Sequence, residues 1–254
     1  MTFTMKVKEE LAIINPDPIE SRIILAAYLN VTGKKSKNNI TFVIENAKIA
    51  RMIYKIIKET YNTNINITVR NQKRFRIKQI YILKIKERTD FILGDLKTIK
   101  NTLESNEEKA SYLKGAFLGS GNISDPATSG YHFEILTNTK TEADFINKIL
   151  LGFKFRSKII IRDNGYMIYI KASENISDIL KTFNAYNSLF YFEDIRIYKD
   201  HKNMVNRLNN CELANQEKVI KTGLNQIKNI EYLKNNDLIS LLDEKTQEVA
   251  KYRL

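Results

Sequence analysis

Side chains able to do covalent chemistry are scarce in this chain. There are two histidines, His132 and His201, and one cysteine, Cys211. A zinc site takes three or four Cys, His or carboxylate ligands, so a His/Cys site is hard to assemble here. His132 lies in the segment YHFEI and is expected to be a packed or surface side chain. Cys211 has no second cysteine to pair with, which fits a reducing compartment. As a nucleophile it would need a base beside it, so a structural place on a helix is the expectation. The glycines do not follow the P-loop or dinucleotide spacing. Metal-dependent phosphodiester cleavage requires anionic oxygens around the ion. Two stretches lack them altogether: no Asp or Glu stands between Ser21 and Ile44, or between Ser111 and Ser124. Inside these stretches the residues before Gly33 and Gly121 are the neutral hydroxyls Thr32 and Ser120.

What the chain does carry is positive charge. Lys and Arg total 41 against 29 Asp and Glu, a net of +12. A basic surface attracts phosphate backbones, although lysine enrichment in an Ile-, Lys- and Asn-rich chain raises the charge by itself. Position is more informative than total. In INITVR (Ile65 to Arg70), Ile65, Ile67 and Val69 alternate with Asn66, Thr68 and Arg70. In RIKQIYILKIK, Ile77, Tyr81, Leu83 and Ile85 share one parity, and Arg76, Lys78, Lys84 and Lys86 share the other with Ile80 and Ile82 between. In KFRSKIIIR, Arg156, Lys158 and Arg162 alternate with Phe155, Ile159 and Ile161. Side chains alternate across a sheet, so each sheet is expected to have an apolar face and a basic face. Arg70, Arg76, Lys78, Lys84, Lys86, Arg156, Lys158 and Arg162 are therefore the candidate phosphate contacts.

The elements that position these cations occur twice, with an offset of 88 residues. SRIILAAYLNVTG (Ser21 to Gly33) and ASYLKGAFLGSG (Ala110 to Gly121) are apolar, carry Ala27 and Val31 or Gly115 and Gly119 at spacing four, and end in glycine, as helices often do. NNITFVIEN then pairs with GYHFEILTN, AKIARMIYKIIKET with TKTEADFINKILLGF, INITVR with KFRSKIIIR, and RIKQIYILKIK with GYMIYIKA. Short amphipathic segments, TDFILGDL and SENISDILKTF, close the copies. Alternation marks strands and helical apolar spacing marks helices, so each copy is predicted as helix, strand, helix, strand, strand, helix.

The two glycine-ended segments resemble the LAGLIDADG motif of homing endonucleases, LKGAFLGSG closely and LAAYLNVTG more loosely. The resemblance implies an α+β fold. A duplicated αββαββ-type core would form a pseudo-twofold saddle of two antiparallel sheets on DNA, followed by a helical C-terminal region. It also implies paired helices that each deliver an Asp, just before the last glycine, to metal ions. Thr32 and Ser120 stand at those positions, so no catalytic residue, metal ligand or cofactor is expected. More narrowly, FTMKVKEELA, YLKGAFLGSGNISDP and NRLNNCELANQEKVIKTGLNQIKNIEYL resemble the WhiA family of bacterial transcription and sporulation regulators. In that family a helix-turn-helix domain follows the core. LISLLDEKTQEVAKYRL looks like the beginning of one, so the domain is expected to be truncated or missing.

The expected organisation is an N-terminal helix at 1–20, repeats at 21–103 and 104–187, a helical linker at 188–236 and an incomplete helix-turn-helix at 237–254. The expected function is a non-enzymatic, DNA-associated regulator in the cytoplasm at the nucleoid, with double-stranded DNA as partner and a second regulatory protein as another. The N-terminus lacks the apolar stretch of a signal peptide, and the longest apolar run, Ile23 to Leu29, is too short to span a bilayer. Two alternatives stay open. One is a protein-interaction module in cell division or chromosome organisation. The other is a metal-dependent nuclease with displaced acids such as Asp125.

Overall fold

The computed structural model describes every residue except 33, 37–38, 73–77, 129 and 254. The chain divides into two compact units, Met1–Arg196 and Ile197–Leu254.

The first unit opens with α1 (Phe3–Leu11), whose N-terminus is capped by the Thr2 hydroxyl. Copy one follows as α2 (Pro18–Thr32), β1 (Lys34–Ser36), β2 (Asn39–Ile44), α3 (Ala47–Tyr61), β3 (Ile65–Gln72), β4 (Lys78–Ile85) and α4 (Thr89–Thr102). Copy two repeats the order as α5 (Asn106–Ser120), β5 (Gly121–Ile123), β6 (Phe133–Thr137), α6 (Lys140–Gly152), β7 (Lys158–Arg162), β8 (Gly165–Ile170) and α7 (Ser173–Thr182). Each copy builds a four-stranded antiparallel sheet, in the orders β1-β2-β4-β3 and β5-β6-β8-β7. The expected α+β core with two antiparallel sheets is thus present. The short strands β1 and β5 are additions to the helix, strand, helix, strand, strand, helix order. At three residues each they are too brief for alternation to reveal them.

The sheets are covered on one side. Ile40, Phe42, Leu83 and Ile85 are buried on the side where α3 packs, as are Phe133, Ile135, Ile168 and Ile170 where α6 packs. Each such side chain contributes about 1.5–3 kcal/mol by leaving water. Helices α2 and α5 pack against one another at the centre. Both are buried nearly all round, as a helix without a solvent face must be apolar on every side. Their closeness depends on Gly115. A Cβ there would lie 2.4 Å from the Ile24 carbonyl oxygen and 2.9 Å from the Ala27 Cβ. At Gly119 a Cβ would meet the Val31 Cγ2 at 2.6 Å, so α5 supplies the space and α2 the side chains that fill it.

Polar side chains also tie the copies together. Glu142, 4% exposed, pairs with Lys100 of copy one and accepts from the Tyr112 hydroxyl at 2.5 Å. Asn30 of α2 donates to the same hydroxyl at 3.0 Å. Burial, helped by the Glu142 carboxylate, holds the Tyr112 hydroxyl well above the ordinary tyrosine range. At the other end of the helix pair, Lys114 is buried and donates to Glu20 at 2.6 Å. A buried charge stripped of its partner is costly, so these pairs fix how α2 and α5 sit.

Helix α8 (Tyr186–Asn235) begins in the first unit. Glu10 of α1 accepts from the backbone N–H groups of Asn187 and Ser188 at 2.7 and 3.0 Å and from the Ser188 hydroxyl at 2.6 Å. This carboxylate satisfies donors that a helix start leaves open. Phe192 is buried beside Phe3. In the second unit α8 continues and is followed by a 3-10 turn (Ile239–Leu241) and α9 (Glu244–Arg253). Asp243 caps α9 through Thr246, and hydrogen bonds from Thr246 hold the Asp243 carboxyl below the usual range.

Candidate nucleic-acid interface

The faces that matter are those the helices leave open. In copy one the register sets Thr41, Lys84 and Asn66 side by side, then Val43, Ile82 and Thr68, then Ile80 and Arg70. The other parity is buried at Ile40, Phe42, Ile44, Leu83 and Ile85, so this row is the uncovered side. Arg70 is exposed and Lys84 half-buried on that face. Lys78 opens β4 opposite Gln72, in the same alternation. Lys86 is exposed one residue past the strand. Arg76 lies outside the described residues.

In copy two the open row is Asn122 and Glu134 with Tyr169 and Lys158, then Leu136, Met167 and Ile160, then Gly165 and Arg162. Lys158 and Arg162 are exposed here, and Arg156 is exposed on the segment before β7. The Arg162 guanidinium lies 3.8 Å from the Met167 sulfur. The seven candidate cations among the described residues therefore fall into two groups, one per sheet. Alternation brings Arg70 and Lys84 to one face and Lys158 and Arg162 to another, while Lys86 and Arg156 stand at the strand margins.

Two residues of the copy-two face escaped the sequence reasoning. Lys171 continues the alternation of Met167 and Tyr169, and its ammonium lies 5.6 Å from the Tyr169 ring centre. Its parity with Tyr169 was the available signal. Glu134 was read only as a strand residue. It accepts from Asn122 at 3.1 Å and meets the His132 ring nitrogen at 3.0 Å, while His132 stacks on Tyr169. A carboxylate thus sits within the open face of copy two.

The helix tips do not fit magnesium. The Thr32 hydroxyl donates to the Tyr28 carbonyl at 2.8 Å, and the Ser120 hydroxyl donates to the Leu136 carbonyl at 2.6 Å. Both are neutral and turned to the backbone. Asp125 accepts from the Ala127 N–H at 2.9 Å and from the Tyr191 hydroxyl at 3.4 Å. Among the described residues no three His, Cys, Asp or Glu side chains gather as metal ligands would. Cys211 is exposed on α8.

Family profiles match three consecutive parts of the chain: a WhiA N-terminal LAGLIDADG-like domain over residues 20–99, a WhiA LAGLIDADG-like domain over 109–202 and a WhiA C-terminal HTH domain over 205–254. A Bacillus cytotoxicus protein named "Probable cell division protein WhiA" is 36% identical over 269 residues, which cover 100% of this chain and 85% of that one. The chain belongs to the WhiA family. A Bacillus cereus WhiA protein of the same name is 37% identical over 268 residues, again covering 100% of this chain and 85% of the relative. Among solved structures, full-length DUF199/WhiA from Thermatoga maritima matches with a TM-score of 0.69 at 22% identity, covering 100% of this chain and 87% of that one. The N-terminal LAGLIDADG domain of DUF199/WhiA matches with a TM-score of 0.59 at 20% identity, covering 72% of this chain and 90% of that one. Both share the fold.

One expectation is corrected by these matches. The helix-turn-helix domain is not truncated or missing: its WhiA profile spans residues 205–254 and so takes in most of α8 as well as α9. The profile begins inside α8, upstream of the segment 237–254. Residues 202–234 have unbroken helical spacing, and a helix running into a domain carries no turn signal to mark the boundary.

No helix among the described residues is long and apolar enough to cross a membrane.

Proposed function

We propose that this chain is a DNA-associated transcriptional regulator of the WhiA type and not an enzyme. The observation that carries the non-enzymatic part is the state of the two helix tips, where neutral hydroxyls donate to backbone carbonyls. In-line phosphodiester cleavage needs oxygens that can hold a divalent ion against the transferring phosphate, and hydroxyls bound in this way do not supply them. The match of residues 205–254 to the WhiA C-terminal HTH domain supports DNA as the partner, since a helix-turn-helix reads bases with a helix in the major groove. In this reading the repeats at 21–103 and 104–187 form a scaffold. Arg70, Arg76, Lys78, Lys84, Lys86, Arg156, Lys158 and Arg162 are its phosphate contacts, which position a protein on a duplex without reading sequence. The chain works in the cytoplasm at the nucleoid.

A specific observation favours a second reading. Val43, Leu136 and Ile160 are exposed within the open faces. That suits a protein-interaction module in cell division or chromosome organisation, in line with the name its relatives carry. Duplex binding at about 50 mM and about 200 mM salt, with a plasmid-nicking assay in Mg2+ and Mn2+, separates the readings. Binding that weakens steeply with salt and leaves the plasmid supercoiled is expected. Cleavage that disappears in Asp125→Asn would overturn the non-enzymatic part, and no binding at low salt would overturn the DNA part.

A further inference from the structure

A cavity of about 310 Å³ lies where α4 of copy one meets α5 and α6 of copy two, and no strand residue lines it. Part of its lining is apolar. Phe145 and Phe153 are half-buried there beside the buried Ile149, and the Phe145 ring meets Tyr112 edge-on with centroids 5.0 Å apart. The polar part carries Lys100, Lys109 and Lys148, and among the described residues no carboxylate lines the cavity. The three charges are unequally spent. Lys100 pairs with the buried Glu142. Lys109 donates to the Glu104 carbonyl at 2.8 Å, a neutral acceptor, while the adjacent Glu108 carboxylate is taken up by the N–H groups of Glu104 and Ser105 at 2.8 and 3.0 Å. Lys148 is exposed and forms no ion pair among the described residues. Like charges round one concavity repel, and an anion seated among them relieves that repulsion. Rings in the same place give an aromatic body a surface on which to leave water, and the volume falls at the small end of ligand sites, about 300–1,000 Å³.

We propose that this cavity binds a phosphorylated aromatic compound of nucleoside-monophosphate size, its ring on Phe145 and Phe153 and its phosphate at Lys109 and Lys148. The site is built from helices and lies apart from the open strand faces, so the inference goes beyond the DNA reading and does not depend on it. Titration calorimetry of the full chain tests it, with AMP as the probe and adenosine and inorganic phosphate as its two halves. AMP is expected to bind one to one with a Kd below about 1 mM, and each half at least about tenfold more weakly, since neither meets both the rings and the lysines. Lys148→Glu is expected to weaken AMP about tenfold or more and to leave the Tm of the unliganded chain unchanged, because Lys148 is exposed. Lys109→Gln is expected to act in the same direction and serves if Lys148→Glu melts early. Lys97→Glu, exposed on α4 outside the cavity, makes the same change in net charge and is expected to leave the AMP affinity within about twofold. No heat from AMP at millimolar concentration overturns the proposal. So does phosphate binding as tightly as AMP, which would mark an adventitious ion only. Equal losses at Lys148 and Lys97 would show attraction by net charge alone and overturn it too. DNA binding is measured separately, so none of these outcomes touches the DNA reading.

Discussion

Copy one and copy two have the same strand order and the same covered face, yet they spend their polar side chains differently. Copy one sets Arg70 and Lys84 on the uncovered face of β3 and β4 and keeps acids off those strands. Copy two turns its carboxylates to internal work, Glu142 bracing Tyr112 and Lys100 across the repeat boundary and Glu134 holding Asn122 and His132. The pair of central helices is unequal in the same way, with glycines on α5 and the side chains that fill their space on α2. A duplicated fold is held by its close-packed interior, where a change of one methylene is felt. Its outward face costs little to alter, so that is where two copies can diverge.

The largest expected effect comes from closing the gap between the copies. Gly115→Ala places a methyl 2.4 Å from the Ile24 carbonyl oxygen, a backbone atom that cannot rotate away. It should cost about 3 kcal/mol or more, seen as a large drop in Tm. Adding Ala27→Gly should not rescue it, because the carbonyl clash remains. Gly119→Ala meets only the movable ends of Val31 and Thr32 and should cost about 1 kcal/mol. Equal losses at the two glycines would break the picture of backbone contact at Gly115.

A smaller effect is expected where α1 bridges the copies. Lys8 lies over the Phe117 ring of copy two, and burial pulls its pKa from 10.5 down to about 8, opposed by the Glu45 carboxylate of copy one. The folded state therefore disfavours the charged amine that the unfolded chain carries freely. Between pH 8 and 10.5 the unfolded state binds more protons, so this group makes stability rise with pH over that window and penalises the fold below it. Lys8→Met should stabilise the chain by ~1 kcal/mol at pH 7, with the gain fading towards pH 10, in thermal melts at the two pH values. A variant less stable at pH 7 would show that the ammonium is well accommodated.

Much of this architecture could be read from residue order. The helix-length apolar segments with small residues at spacing four announced α2 and α5, and alternation in RIKQIYILKIK set Leu83 and Ile85 apart from Lys84. What alternation cannot tell is how far a covered face extends. Ile67 and Val69 share the parity of the covered side, yet they are 53% and 51% exposed on the edge strand β3. Ile161, at the end of β7, is likewise exposed, although its alternation placed it with the apolar set. Partnerships between residues far apart in sequence were not legible either. Nothing in the order of residues joins Lys100, Tyr112 and Glu142, because each alone is an ordinary helix residue and only the packing of α4, α5 and α6 makes them partners.

Hydrogen exchange of the full chain, with and without a duplex at low salt, tests the DNA reading of the core most directly. Added protection of backbone amides in β3, β4, β7 and β8 is expected, because candidate phosphate contacts lie on both sheets. Unchanged protection in both sheets would contradict a core that meets DNA.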